Sequence, residues 1–145
     1  MKHYTKENFK MTESVGFAIN KARNLILMEM DAALKDLDIT GQQMGILLAL
    51  DHGSATTPFE LSRLLGIDTG LMTRMLDKLE DRGLLARTRS VEDRRVVNLA
   101  LTEKGQGVAV RIPEVAPDVL NSRLASFTKA EFVEFRRLLG KFLGA

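Results

Sequence analysis

The chain has 145 residues, 45% of them apolar, a net charge of +2 and no cysteine. That is the length of one domain with apolar mass enough for a core, which argues against disorder, and the missing cysteines exclude disulfides, thiolate metal sites and cysteine-based redox sensing. No run approaches the roughly 18 apolar residues of a membrane span, and Met1 to Glu7 lacks the apolar stretch of a secretion signal, so a cytoplasmic protein without membrane association is expected.

Taken in chain order, residues 12–37 read as one long amphipathic helix, because Val15, Ala18, Ile19, Ala22, Leu25, Ile26, Met30, Ala33, Leu34 and Leu37 recur at steps of three and four. Helices follow over 40–52, 57–65 and 69–82. Their starts repeat one device, a threonine followed three residues later by Gln or Glu: Thr40 with Gln43, Thr57 with Glu60, and later Thr128 with Glu131. Pro58 stands just inside a helix start, where its missing N–H is harmless. Gly53, Gly66 and Gly83 mark the stops, since glycine tolerates the left-handed conformation that ends a helix. Gly41 and Gly45, four apart on a short helix, allow close helix packing. A strand over 85–89, a tip over 90–94 and a strand over 95–101 then form a hairpin, with Val97, Leu99 and Leu101 alternating toward a buried face. A helix over 103–121, disturbed by Pro113 and Pro117, and a last helix over 128–143 complete the chain. That last helix carries Phe132, Phe135, Leu138, Leu139, Phe142 and Leu143. It and the long first helix are stickier than a small core requires, which suggests packing against a second copy.

The charge is concentrated in the hairpin. Between residues 82 and 95 lie five arginines (Arg82, Arg87, Arg89, Arg94 and Arg95) against two acids, Glu92 and Asp93, for a local charge of +3. Such a run is often only a solvated surface. Guanidinium is nevertheless the group best matched to phosphate and narrow grooves, and the run follows Leu61 to Thr69, which reads as helix, tight turn, helix. A helix-turn-helix with a basic hairpin behind it is a winged-helix reader of double-stranded DNA. The fold class is therefore mainly α, a winged helix-turn-helix lobe with N- and C-terminal helices as a dimerisation region.

In a helix-turn-helix the first residues of the second helix face base edges. Here these are Thr69, Gly70, Met72, Thr73 and Arg74, with Asp68 or Thr69 at the N-cap and Leu71, Met75, Leu76 and Leu79 as the buried stripe. Thr73 and Arg74 are the polar readers, a threonine methyl suiting thymine and arginine suiting guanine. The competing reading pairs Arg74 with Asp77 and Lys78 with Asp81 on a solvated helix. Thr57, Ser62 and Arg63, on the helix before, are candidates for phosphate contact. Arg89, Asp93, Arg94 and Arg95 are the wing candidates.

The segments Leu61–Ile67, Leu71–Leu85 and Asp93–Gly105 resemble the MarR family of bacterial transcription regulators. The resemblance implies a homodimer with two winged lobes that binds a pseudopalindromic operator and usually represses. It implies one domain over 1–145, with the lobe at about 38–101 and dimerisation helices at about 12–37 and 103–145, working at the nucleoid without a cofactor. In the family pattern Asp93 and Arg95 are the wing aspartate and arginine, the arginine entering the minor groove. Arg94 is the alternative for that role, and Asp93 either holds the arginine or merely turns the hairpin. The family also implies release by a small aromatic or phenolic effector. Arg23, Met30, Met44, Leu48 and His52 are candidate lining residues, with Arg111 more remote, although the Met and Leu spacing also suits plain core and His52 a helix end. Two histidines are too few for a metal sensor.

Catalysis is not expected, for there is no glycine-rich phosphate loop and no cysteine nucleophile. The rival reading is a winged-helix module that binds a protein partner, since fold alone does not decide function.

Overall fold

Hydroxyl caps and left-handed glycines set the helix ends. In the computed structural model, which describes residues 1–145, the elements are α1 (Val15–Ala33), α2 (Gly41–His52), α3 (Pro58–Leu65), α4 (Thr69–Asp81), β1 (Leu85–Arg89), β2 (Val97–Leu101), α5 (Glu103–Ala109), α6 (Ile112–Leu124) and α7 (Lys129–Phe142). Thr40 and Thr128 close full capping boxes. Thr57 accepts from the Glu60 N–H at 3.1 Å. The Glu60 carboxylate turns instead to Thr56, which offers both its N–H and its hydroxyl. Gly53, Gly66 and Gly83 all have φ between 66° and 71°.

Two expected helices are divided. The stretch 12–37 has a 3-10 turn at Met11–Glu13, then α1, then a second 3-10 turn at Lys35–Leu37. Ser14 caps α1 by accepting from Phe17 N–H, and Asp38, left-handed at φ 57°, ends the segment. The stretch 103–121 breaks at Val110 and Arg111 into α5 and α6. Pro113 falls in the first turn of α6, where no N–H is needed, and Pro117 is tolerated within it on the exposed side. Strand β2 starts at Val97 rather than 95, because Val96 N–H closes a turn onto Asp93 O at 3.0 Å.

β1 and β2 are antiparallel, with Leu85 opposite Leu101, Arg87 opposite Leu99 and Arg89 opposite Val97. Leu99 N–H also donates to Thr56 O at 2.7 Å, so the wing root is stitched to the segment before α3. The core lies between α2, α3, α4 and the wing root. Ile46, Leu47, Leu61, Met72, Leu76, Leu79, Leu84 and Leu85 are completely buried there, each contributing about 1.5–3 kcal/mol by leaving water. The α1–α2 approach is close: a Cβ at Gly41 would lie 3.2 Å from both Leu27 Cδ2 and Met30 Cβ. No helix is long and apolar enough to cross a membrane. α7 buries no residue and leaves Val133, Phe135, Leu138 and Phe142 exposed.

Candidate nucleic-acid interface

The tight turn at Gly66 delivers the chain to Asp68, whose carboxylate accepts from Leu71 N–H at 3.0 Å and so caps α4. Thr69, Gly70, Thr73 and Arg74 are exposed on its first two turns. Thr73 Oγ donates to Thr69 O at 2.9 Å, leaving its oxygen as an acceptor. Arg74 makes no ion pair, because Asp77 is taken by Arg87 at 2.6 Å. The Lys78–Asp81 pair is absent as well.

Met72 does not face outward. It is fully buried with Met75, Leu76 and Leu79, at spacings of three, four and seven on one helical face. The buried stripe thus keeps the expected Met75, Leu76 and Leu79 but takes Met72 in place of Leu71, which is only half-buried. Ser62 needs the same correction. It points inward beside Leu61 with 8% exposure, and its hydroxyl has no partner, so it does not reach a phosphate. Thr57 is half-buried as the α3 cap. Arg63 is exposed, its guanidinium 5.8 Å from the Phe59 ring centre.

At the wing tip, Ser90 Oγ accepts from the N–H groups of Glu92 and Asp93. Asp93 Oδ1 accepts from both Arg95 N–H and Arg95 Nε, and Oδ2 accepts from Nη2, all at 3.0 Å. Asp93 therefore turns the hairpin and clamps the arginine with the same carboxylate. The Arg95 side chain is still 90% exposed. Its hydrogen bonds hold the Asp93 carboxyl below the ordinary carboxylate range and raise Arg95 in turn, so both stay charged at neutral pH. Arg89 Nη1 donates to Arg94 O at 2.9 Å, fixing the tip's backbone, while the Arg94 guanidinium has no partner.

The hairpin arginines thus divide. Arg82 pairs with Asp38, Arg87 with Asp77, and Arg89 staples the tip. The sequence reading counted Arg87 among the hairpin arginines and weighed Asp77 as a partner for Arg74, but it did not pair Asp77 with Arg87. The available signal was the alternation of β1, which sets Arg87 and Arg89 on the same face as Leu85.

The effector candidates do not converge. Met30 is 2% exposed in the core under Gly41, Met44 and Leu48 are half-buried against that core, and Arg23, His52 and Arg111 are exposed on different elements. A groove of about 580 Å3 lies elsewhere, between Phe17 and Leu25 of α1, Leu120 of α6, and Phe135 and Leu139 of α7.

A helix-turn-helix followed by an arginine-tipped hairpin defines a winged-helix DNA-binding protein. Residues 37–96 match the MarR family. The multiple antibiotic resistance protein MarR of Escherichia coli K12 is 31% identical over 126 residues, spanning 86% of this chain and 85% of that one. The crystal structure of a mutant MarR from E. coli complexed with operator DNA superposes with a TM-score of 0.83 at 27% identity, over 94% of this chain and 99% of that one. BpsR of Bordetella bronchiseptica, whose DNA binding is regulated by 6-hydroxynicotinic acid, shares the fold at a TM-score of 0.83 and 22% identity, over 94% and 98% of the two chains. The chain belongs to the MarR family, and it is a DNA-binding transcriptional regulator rather than an enzyme.

Proposed function

We propose that the protein is a homodimeric repressor that binds a pseudopalindromic operator and is released by a small aromatic acid. The observation that carries the DNA reading is the Asp93–Arg95 clamp, which holds an almost fully exposed guanidinium at the tip of the wing. An arginine restrained before binding loses little entropy on entering a groove, and the narrow, negative minor groove of an A·T tract suits it. Thr69, Gly70, Thr73 and Arg74 are assigned to the major groove, Arg94 to the phosphates beside Arg95, and Thr57 and Arg63 to the backbone crossed by α3. Met72 and Ser62 drop out as buried residues.

The exposed apolar side of α7 and the groove it forms with α1 and α6 support a second copy as the covering partner, residues 12–37 and 103–145 supplying that contact. Effector release is supported by the regulation of BpsR by 6-hydroxynicotinic acid.

The test is a salt series of binding to the DNA upstream of this protein's own coding region, with random duplex as control. Preferential binding whose affinity falls steeply with salt, half-sites about one helical turn apart, and loss of the complex on adding aromatic acids are the expected results. Equal, weak binding to both duplexes, or a monomer at micromolar concentration, refutes the reading.

A further inference from the structure

The inward face of β1 breaks the pattern of its partner strand. β2 presents Leu101, Leu99 and Val97 to that face, and β1 answers with Leu85, Arg87 and Arg89. Arg87 lies across from buried Leu99, where a branched aliphatic residue would complete the core, and its Nε is buried with no hydrogen-bond partner. The side chain is half-buried, and leaving its Nε out of water with an unmade bond is costly, so an apolar residue of similar size would be about as stable there. Filling space is therefore a poor account of Arg87.

Its contacts suggest another. Arg87 Nη2 donates to Asp77 Oδ1 at 2.6 Å, and Arg87 backbone N–H donates to Glu80 Oε2 at 3.2 Å. Both acids are on α4, and Asp77 stands one turn beyond Thr73. The next residue in that alternation, Arg89, is exposed and reaches the tip by donating to Arg94 O, and Asp93 holds Arg95. Charged contacts thus recur along the hairpin from α4 to Arg95, joined by the backbone of β1, beside an apolar row that thins from buried Leu99 to half-buried Val97.

We propose that Arg87 is a positioning residue for DNA recognition: it braces the wing against α4 and so fixes Arg95 relative to Thr73 and Arg74. This rests on the DNA reading given above. A wing braced before binding keeps the two groove contacts in register and removes an ordering cost on association. The same contact occupies Asp77, which otherwise stands three residues from Arg74 and at the right spacing to capture it. Arg87 thus also keeps the Arg74 guanidinium available.

The test is a double-mutant cycle on the full-length protein, using a duplex that the unmodified protein has selected from a randomised pool. Arg95→Ala is expected to weaken binding by about tenfold or more, in line with loss of a groove contact. In an Arg87→Met background the same change should cost less than about threefold, because an unbraced wing no longer delivers Arg95. Arg87→Met alone should weaken binding by about tenfold while the melting temperature holds or rises, and Arg87→Lys should recover part of the loss. If Arg87→Met does not fold, Asp77→Asn removes the brace from its exposed side and should show the same reduced Arg95 penalty. An unchanged Arg95 penalty in these backgrounds overturns the brace and leaves the DNA reading standing. An unmodified protein that selects no duplex overturns both.

Discussion

Met72 separates the two faces of the recognition helix, and Met72→Ala tests that separation. The side chain is completely buried, and alanine removes three heavy atoms beyond Cβ. At about 0.8 kcal/mol for each methylene-sized group, the lost transfer energy is roughly 2.5 kcal/mol. A void of roughly 60 Å3, half closed by relaxation of Met75 and Leu76, adds about 0.7 kcal/mol at about 24 cal/mol per Å3. The expected cost is about 3 kcal/mol, which for a chain of this length lowers the melting temperature by roughly 6–12 °C. Calorimetry at fixed protein concentration gives that shift, since a dimer's transition depends on concentration. Fluorescence anisotropy well below the transition should find the DNA affinity of the variant within about threefold of the unmodified protein. Arg74→Ala should do the reverse, leaving the melting temperature in place and weakening DNA binding. An unchanged melting temperature in Met72→Ala together with weakened DNA binding would refute the placement of Met72 and with it the orientation of α4.

Three other outcomes are expected. Asp93 is held below the usual carboxylate range by its hydrogen bonds from Arg95, so its contribution is present above the unfolded carboxyl's pKa and is lost only as pH falls through the lower folded value. The Arg95 Nε resonance should therefore be unaltered by NMR from mildly acidic to neutral pH and shift only in strong acid; a transition near neutrality would contradict the clamp. Gly105→Ala should destabilise the lobe by about 1–3 kcal/mol, because a Cβ there collides with the Leu84 carbonyl oxygen, which already accepts from Thr102 N–H; Gly107→Ala, with open space around it, should be neutral or mildly stabilising by thermal melting. Phe135→Glu places a charge on the groove between α1, α6 and α7, and light scattering should find a monomer whose circular dichroism is retained, whereas an undisturbed dimer would move the interface elsewhere.

Much of the molecule follows from local chemistry that the chain carries in order. Thr40 with Gln43, Thr128 with Glu131, and glycines at 53, 66 and 83 place helix ends because a cap or a left-handed residue acts over three or four positions, whatever the fold around it. The hairpin was legible for the same reason: alternation at 97, 99 and 101 needs only a pleat with one buried face. The family resemblance also marked Asp93 and Arg95 as the wing pair, and the Asp93 carboxylate both turns the hairpin and holds the arginine.

Packing across the chain decided the rest. A helix's apolar stripe at 72, 75, 76 and 79 differs from one at 71, 75, 76 and 79 by a single position, and only the core it meets selects the rotation that buries Met72. Ser62 and Met30 turned inward because neighbouring elements close over them. Arg87 took Asp77 from Arg74 because β1 folds back along α4, bringing together residues ten apart that no helical or strand periodicity relates. Sequence by itself determined where elements begin, end and carry charge, because those choices are made within a few residues. Which face of each element is buried, and which arginine is tied to an acid while another is left exposed, was decided by tertiary structure, because those choices depend on partners that only folding brings into contact.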